Sequence, residues 1–160
     1  MAREKESNVK ISPSPVVCRA ILADRSGMFD WKPQYSVGIE TIDTQHQNLF
    51  AIGRELYAAM SSGKGTAATG NILDRLIQYT KSHFAAEEAL MRKCGYPDYP
   101  KHKKEHDELT KQVLEFQADF KAGRVAMSVQ LLDFLTKWLQ SHIQVQDAAY
   151  APVMKSKAVA

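Results

Sequence analysis

The chain has 160 residues, of which 44% are hydrophobic and 24% charged, which fits a single globular domain with its own core. Its formal net charge is +3, and basic residues are mixed with acidic ones rather than clustered as on a nucleic-acid-binding face. No segment approaches the ~18 consecutive apolar residues of a membrane span, and Cys18 and Cys94 form no CxxC pair for thiolate metal binding. We therefore expect a cytoplasmic protein that inserts into no membrane and binds no nucleic acid.

Residues 1–27 differ in composition from the rest of the chain. They mix charged residues with Ser and Pro, as in the segment 12–15, and they have no apolar periodicity, which is typical of a flexible arm. The composition changes at Met28, so a second interpretation is that translation starts there and that the arm is a start-site artefact. Mass spectrometry of the native protein would decide between the two.

Four amphipathic segments follow, each with apolar residues at alternating steps of three and four, the period of an α-helix. They run from about Thr41 to the small residues 61–65, from about Ile72 to Gly95, from Asp98 to Gly123, and from near Ser128 to the residue before Pro152. Short links between helices of roughly 20 residues imply antiparallel neighbours. We therefore predict an all-α fold, an up-down-up-down four-helix bundle over residues 28–152, with a C-terminal tail at 153–160.

All five histidines lie on the apolar faces of these segments, and every segment supplies at least one: His46, His83, His102, His106 and His142. Because the apolar faces of a bundle meet in its interior, we expect the imidazoles to converge. Glu87 lies four residues after His83, which puts both on one face of a helix, and the two histidines of the third segment have the same spacing. Asp147 lies five residues after His142, and five steps turn about 140° around an α-helix. Asp147 therefore fits the pattern less closely.

A single histidine on an apolar face is usually a hydrogen-bonded core residue. Burying five imidazoles and two acids together without a cation would be costly, because each polar group needs a partner. The donors are nitrogen and oxygen, and they are too many for one zinc ion, which usually has four ligands. They suit two first-row ions such as iron. Five imidazoles, two bridging carboxylates and one bridging hydroxide would leave one position of two octahedral ions open for a small molecule.

Four segments resemble the ligand motifs of the hemerythrin family, particularly of the bacteriohemerythrins: GIETIDTQH at 38–46, HFAAEE at 83–88, HKKEH at 102–106, and WLQSHI at 138–143 followed by Asp147. The resemblance covers about residues 28–150. It implies a non-haem di-iron centre with an oxo or hydroxo bridge, whose ions alternate between Fe2+ and Fe3+. By the same resemblance, His102, His106 and His142 hold a six-coordinate iron, His46 and His83 hold a five-coordinate iron, and Glu87 and Asp147 bridge them. Dioxygen then binds reversibly at the five-coordinate iron.

Apolar residues one, three or four steps from these ligands are interpreted as the wall of an oxygen pocket: Phe84, Trp138, Leu139 and Ile143. Simple core packing is the ordinary explanation for such residues, and both roles can hold at once. Asp43 and Tyr150 are considered as outer partners of the ligands, although Asp43 also suits a helix cap. Glu88 is expected to be solvated.

The implied function is oxygen storage, or delivery to oxygen-consuming enzymes, by a monomer without catalytic residues. One alternative is a sensor of oxygen or iron, for which the arm is too short to be an output domain. The other is a di-iron redox enzyme that handles peroxide or nitric oxide. Carboxylate-rich di-iron proteins use Glu-x-x-His motifs, and this sequence has none.

Overall fold

Four long α-helices make up most of the computed structural model, which describes residues 27–64 and 66–157. A 3-10 turn at Pro33–Tyr35 precedes the helices α1 (Glu40–Ser61), α2 (Thr66–Cys94), α3 (Tyr99–Lys121) and α4 (Val129–Ser141). A π-helical turn, His142–Asp147, joins α4 to the short helix α5 (Ala148–Ser156). The described ranges contain no strand, and the predicted all-α four-helix bundle is confirmed. The predicted arm lies, apart from Gly27, outside the described residues.

The ends of the first three helices follow from glycine. Gly63, Gly95 and Gly123 each have a φ between +67° and +69°, a left-handed conformation that favours glycine. After α1, for example, the backbone N–H of Lys64 donates to the Ala59 carbonyl, which closes the helix in a Schellman motif. The predicted stops at these three positions are therefore correct. At the start of α4, the Ser128 hydroxyl accepts from the backbone N–H of Leu131 at 3.2 Å, as an N-cap should.

The last helix does not end before Pro152, as the sequence predicted. Pro152 lies inside α5, and Met154 beyond it is fully buried. A proline inside a helix lacks one hydrogen-bond donor, but burial of Tyr150, Ala151 and Met154 against the bundle offsets this loss. Val153 and Met154 therefore pack with the bundle, whereas the predicted tail was to begin at residue 153.

The segment before α1 packs as part of the core. Phe29, Tyr35 and Ile39 are buried, and the Phe29 ring lies against Gly53 of α1. A Cβ atom at position 53 would come within 2.4 Å of that ring, so only glycine admits the contact. The bundle therefore includes residues upstream of its first long helix. Within the described ranges, no helix combines the length and the apolar character needed to cross a membrane.

Candidate metal centre

Seven buried side chains from α1, α2, α3 and the π-helical turn meet inside the bundle. They are the five histidines and two acids that the sequence predicted as ligands. Their donor atoms form two groups, and within each group the atoms lie within 4.8 Å of one another. Glu87 and Asp147 belong to both groups, and the histidines divide into His102, His106 and His142 in one and His46 and His83 in the other. The five histidines thus form a three-histidine group and a two-histidine group.

Glu87 directs its two oxygens to different groups. Its Oε1 lies 3.5 Å from His83 Nε2 and 3.6 Å from His46 Nε2. Its Oε2 lies 3.3 Å from His106 Nε2, on the side of the three-histidine group. The i to i+4 spacing of His83 and Glu87 on α2 accounts for their common direction. A carboxylate in this position can bridge two cations.

Asp147 spans the two groups in the same way. Its Oδ2 lies 3.2 Å from His46 Nε2, whereas its Oδ1 lies 3.3 Å from His102 Nε2 and 3.2 Å from His142 Nε2. The π-helical turn makes this geometry possible, because π-helical hydrogen bonds join residues five apart. The five-residue spacing of His142 and Asp147 therefore fits a π-helical turn, whereas it fits an α-helix less closely.

Several polar atoms of these seven residues are buried without a hydrogen-bond partner among the described residues. They are both ring nitrogens of His46, Nδ1 of His102, Oε2 of Glu87 and both carboxylate oxygens of Asp147. An unsatisfied buried polar group costs about 1–3 kcal/mol, and more when it is charged. A cation held between these lone pairs would satisfy most of them, so the donor set fits a metal centre.

The nitrogens of the three-histidine group lead to the same conclusion. His106 Nε2 lies 3.0 Å from His102 Nε2 and 3.1 Å from His142 Nε2. The Nδ1 atoms of His106 and His142 each face a carboxylate, which favours the proton on Nδ1. Their Nε2 atoms then present lone pairs to each other, an arrangement that a shared cation stabilises.

The pKa values of these groups reflect burial on one side and the close contacts between carboxylates and imidazoles on the other. Burial alone would lower the pKa of His46, but the carboxylates of Asp147 and Glu87 raise it to about 9. Burial lowers the pKa of His83 to about 4. Burial would raise the pKa of both acids, and repulsion from Asp147 would raise that of Glu87 further, yet the surrounding imidazoles hold both pKa values below their ordinary range. Both acids are therefore carboxylates at neutral pH, ready to bind a cation.

Three polar residues face the outer nitrogen, Nδ1, of a histidine on another helical element. The pairs are Gln45 Oε1 with His83 at 2.8 Å, Glu88 Oε1 with His106 at 3.2 Å, and Glu105 Oε2 with His142 at 3.6 Å. In its own helix, each of these residues is adjacent to one of the seven converging residues. Such outer partners fix the tautomer and orientation of a ligand imidazole.

The expectation that Glu88 is solvated is wrong, because its side chain is only 14% exposed and contacts His106. Spacing within one helix placed Glu88 one step off the ligand face. The contact is made across to α3, so the period of α2 could not reveal it. Gln45 and Glu105 were missed for the same reason. Their only signal in the sequence is that a polar residue stands next to a ligand candidate.

Tyr150 contacts the centre, whereas Asp43 does not. The Tyr150 hydroxyl donates a hydrogen bond to Glu87 Oε1, and burial together with the charges of Glu87 and Asp147 raises the pKa of this phenol well above its ordinary value. Asp43 instead accepts hydrogen bonds from the backbone N–H groups of Val37 and Gly38. Asp43 therefore holds the loop that leads into α1, and Tyr150 orients a carboxylate of the centre.

Aromatic rings cover the three-histidine group. The Phe84 ring stacks on His106 with centroids 3.7 Å apart, and Trp138 stacks on His142 at 4.5 Å. Trp138 and Leu139 also line an apolar cavity of about 40 Å³ between the helices. Ile143 is buried one residue beyond His142. Of the four residues predicted to wall an oxygen pocket, Phe84, Leu139 and Ile143 are buried in the core and Trp138 is half-buried against it. Phe84 and Trp138 stack on imidazoles of the centre.

Comparison with known proteins identifies relatives of this chain. The family model described as Hemerythrin HHE cation binding domain matches residues 37–154. A bacteriohemerythrin of Stenotrophomonas maltophilia is 38% identical over 126 residues, which cover 79% of this chain and 81% of that protein. One of Methylococcus capsulatus is 32% identical over 123 residues, which cover 77% of this chain and 93% of that protein.

A crystal structure of wild-type hemerythrin has a TM-score of 0.74 and 31% sequence identity to this chain, and the match covers 78% of this chain and 95% of that one. The family match spans most of the chain, and all seven converging side chains lie within it. The resemblance seen in the motifs is thereby confirmed, and the chain belongs to the hemerythrin family.

Proposed function

We propose that this protein binds dioxygen reversibly at a non-haem di-iron centre, and that it stores oxygen or delivers it to oxygen-requiring enzymes. The observation that carries the proposal is the split of Glu87 and Asp147, each of which directs its oxygens to two different imidazole groups. This arrangement supports two adjacent ions bridged by two carboxylates.

The chain's own side chains would hold the irons in the two groups already described. His102, His106 and His142 would hold one ion, and His46 and His83 would hold the other, with Glu87 and Asp147 between them. When bound, the ferrous ions supply the electrons that dioxygen takes up on binding and returns on release.

The surroundings of the site favour reversible binding over turnover. Phe84 and Trp138 cover imidazole faces with apolar surface, and a hydrophobic shell limits the access of water to a metal site. The Tyr150 phenol keeps its proton at neutral pH and holds Glu87 by a hydrogen bond. The cavity lined by Trp138 and Leu139 is apolar, and its one hydroxyl, on Thr80, donates to the Leu76 carbonyl. An apolar cavity thus borders the aromatic cover of the three-histidine group.

The test is reconstitution with ferrous iron in the absence of oxygen, followed by exposure to air and removal of oxygen under vacuum. We expect an absorption band that appears with oxygen and disappears without it over several cycles. Glu87→Ala, which removes one of the two carboxylates, should lose iron and the band together. Irreversible oxidation in the first cycle would refute reversible binding, and turnover of added peroxide or nitric oxide would instead support a redox enzyme. Gel filtration of the loaded protein checks the expected monomer.

A further inference from the structure

The two histidine groups differ in the charge that faces their outer nitrogens. In the three-histidine group, carboxylates lie beside two of the three Nδ1 atoms: Glu88 at 3.2 Å from His106, and Glu105 at 3.6 Å from His142. Both carboxylates reach these rings from a neighbouring helix. Neither belongs to the seven converging residues.

Among the described residues, no such anion faces the two-histidine group. The Nδ1 atom of His83 faces the neutral amide oxygen of Gln45 at 2.8 Å. The Nδ1 atom of His46 is buried without a hydrogen-bond partner among the described residues. The asymmetry is therefore between two anionic partners on one side and one neutral partner on the other.

We propose that Glu88 and Glu105 are positioning residues that make the three-histidine position the tighter iron site and the one that favours ferric iron. This inference rests on the di-iron function proposed above. It gives a second reason, besides the number of ligands at each iron, why the two irons differ.

At His106 the physical cause lies in the hydrogen bond between Nδ1 and Glu88, whereas Glu105, at 3.6 Å from His142 Nδ1, acts through its charge. A carboxylate that accepts the Nδ1 proton draws it away from the ring and makes Nε2 a stronger electron donor to a metal. A charged acceptor does this more strongly than a neutral amide, because charge-assisted hydrogen bonds are roughly twice as strong. Greater donation stabilises the more highly charged ferric ion over the ferrous ion. The midpoint potential of that iron is therefore lowered.

Glu88 should have the larger effect of the two carboxylates. It lies closer to its histidine than Glu105 does, and its side chain is 14% exposed compared with 29% for Glu105, so water screens its charge less. Arg92 lies 3.8 Å from the other oxygen of Glu88, and Arg92 in turn donates to the Tyr99 hydroxyl at 2.7 Å. These contacts hold the Glu88 side chain in place beside His106.

The test measures ferrous iron affinity by competition with a chelator under anaerobic conditions, and the two midpoint potentials by redox potentiometry. Glu88→Gln keeps the shape of the side chain and removes its charge. We expect it to weaken the tighter iron-binding step by about 10- to 100-fold and to leave the weaker step unchanged. The lower midpoint potential should rise. Glu105→Gln should produce the same changes to a smaller extent.

Gln45→Glu is the reverse variant, since it gives the two-histidine group an anionic partner. It should strengthen the weaker binding step and lower the higher midpoint potential, so that the two irons become more alike. The matched control is Glu108→Gln on α3, because Glu108 is 60% exposed and pairs with Lys104. This control should change neither affinity nor potential.

The outcomes separate this inference from the proposed function. If the unaltered chain fails to bind two irons, both proposals fail. If it binds two irons and Glu88→Gln behaves like Glu108→Gln, the inference is overturned and the di-iron proposal stands. Equal weakening of both steps by Glu88→Gln also overturns it, because a merely structural role would loosen both positions. If Glu88→Gln misfolds by circular dichroism, Glu105→Gln and Gln45→Glu still decide the question.

Discussion

The centre is built from two kinds of helix, and the contrast between them explains which ligands the sequence predicted easily. On α2 and α3, His83 with Glu87 and His102 with His106 are four residues apart, the spacing that an α-helix brings to one face. After α4, His142 and Asp147 are five apart, and the chain adopts a π-helical turn that brings them to one face instead. The extra residue is tolerated where it places an acid between the two histidine groups. The comparison shows how a short departure from α-helical geometry can complete a site that regular helices begin.

The largest effect should come from removing the extra residue of the π-helical turn. Val145 is 59% exposed, so its side chain contributes little to the core. Deleting it removes the residue that the π-helical turn absorbs. The segment after the turn keeps its buried face only if the turn closes as a regular α-helix; if the turn stays open, that segment rotates by about 100°, and Tyr150 and Met154 leave their buried positions. Each of these side chains contributes about 1.5–3 kcal/mol by burial. We expect loss of iron and a fall of several kcal/mol in the free energy of unfolding, measured by urea denaturation.

Deletion of Ala126, which is exposed in the link before α4, is the control for this experiment. It shortens the chain by one residue without changing the turn. Full iron content after deletion of Val145 would show that a plain α-helix can also place Asp147, and the comparison with α2 and α3 would lose its meaning.

The next effect distinguishes a bridging ligand from a terminal one. Asp147→Ala removes a carboxylate that contacts both histidine groups, whereas His83→Ala removes a ligand from one group. We therefore expect Asp147→Ala to weaken iron binding at both positions and His83→Ala to weaken it mainly at one. Iron analysis after dialysis against a ferrous chelator measures this difference. Identical iron loss in the two variants would argue against the bridging role of the π-helical turn.

A smaller effect concerns Tyr150, which lies in α5 and contacts Glu87 of α2. Tyr150→Phe removes the hydrogen bond to Glu87 and leaves the ring in place. A hydrogen bond to a charged group contributes about 1.5–3 kcal/mol, so the free energy of unfolding should fall by about that amount. Tyr96→Phe is a suitable control, because Tyr96 packs edge-on against Tyr150 but is only half-buried. Equal stability of Tyr150→Phe and the unaltered protein would mean that the phenol does not hold the carboxylate.

The smallest effect lies on the outer faces of α2 and α3. Lys121 lies 2.9 Å from Asp74, and its hydrogen bond, with that of Gln117, lowers the pKa of this acid despite its partial burial. Because the pKa is lower in the folded state, the pair stabilises the protein above the unfolded pKa of Asp74 and loses this effect as pH falls through the folded value. Both side chains are more than a third exposed, so the contribution should stay below about 1 kcal/mol.

Lys121→Met should remove that pH-dependent increment of stability between acidic and neutral pH, as measured by urea unfolding at several pH values. Lys111→Met, on the same helix, gives the comparison for an exposed ion pair at 4.0 Å. A larger loss for Lys111→Met than for Lys121→Met would contradict the assignment to Asp74.

Much of the fold could be read from local chemistry. The stops at Gly63, Gly95 and Gly123 depend on a backbone conformation that glycine alone adopts cheaply, and the four amphipathic segments depend on a period of 3.6 residues. Both are properties of neighbouring residues in one chain segment. The seven converging residues were found for the same reason, since they occupy the apolar faces of those segments.

The tertiary structure alone decided the features that the period of a single α-helix does not determine. Whether His142 and Asp147 share a face depended on the π-helical turn, and the helix continued past Pro152 because Met154 is buried against the bundle. The partners of the imidazoles were equally hidden, since Glu88 touches His106 only through the rotation of α2 against α3. The sequence thus determined which side chains enter the core, because that depends on the period of one helix. The contacts of these side chains with residues on other helices were decided by packing, because those contacts depend on how two helices are turned towards each other.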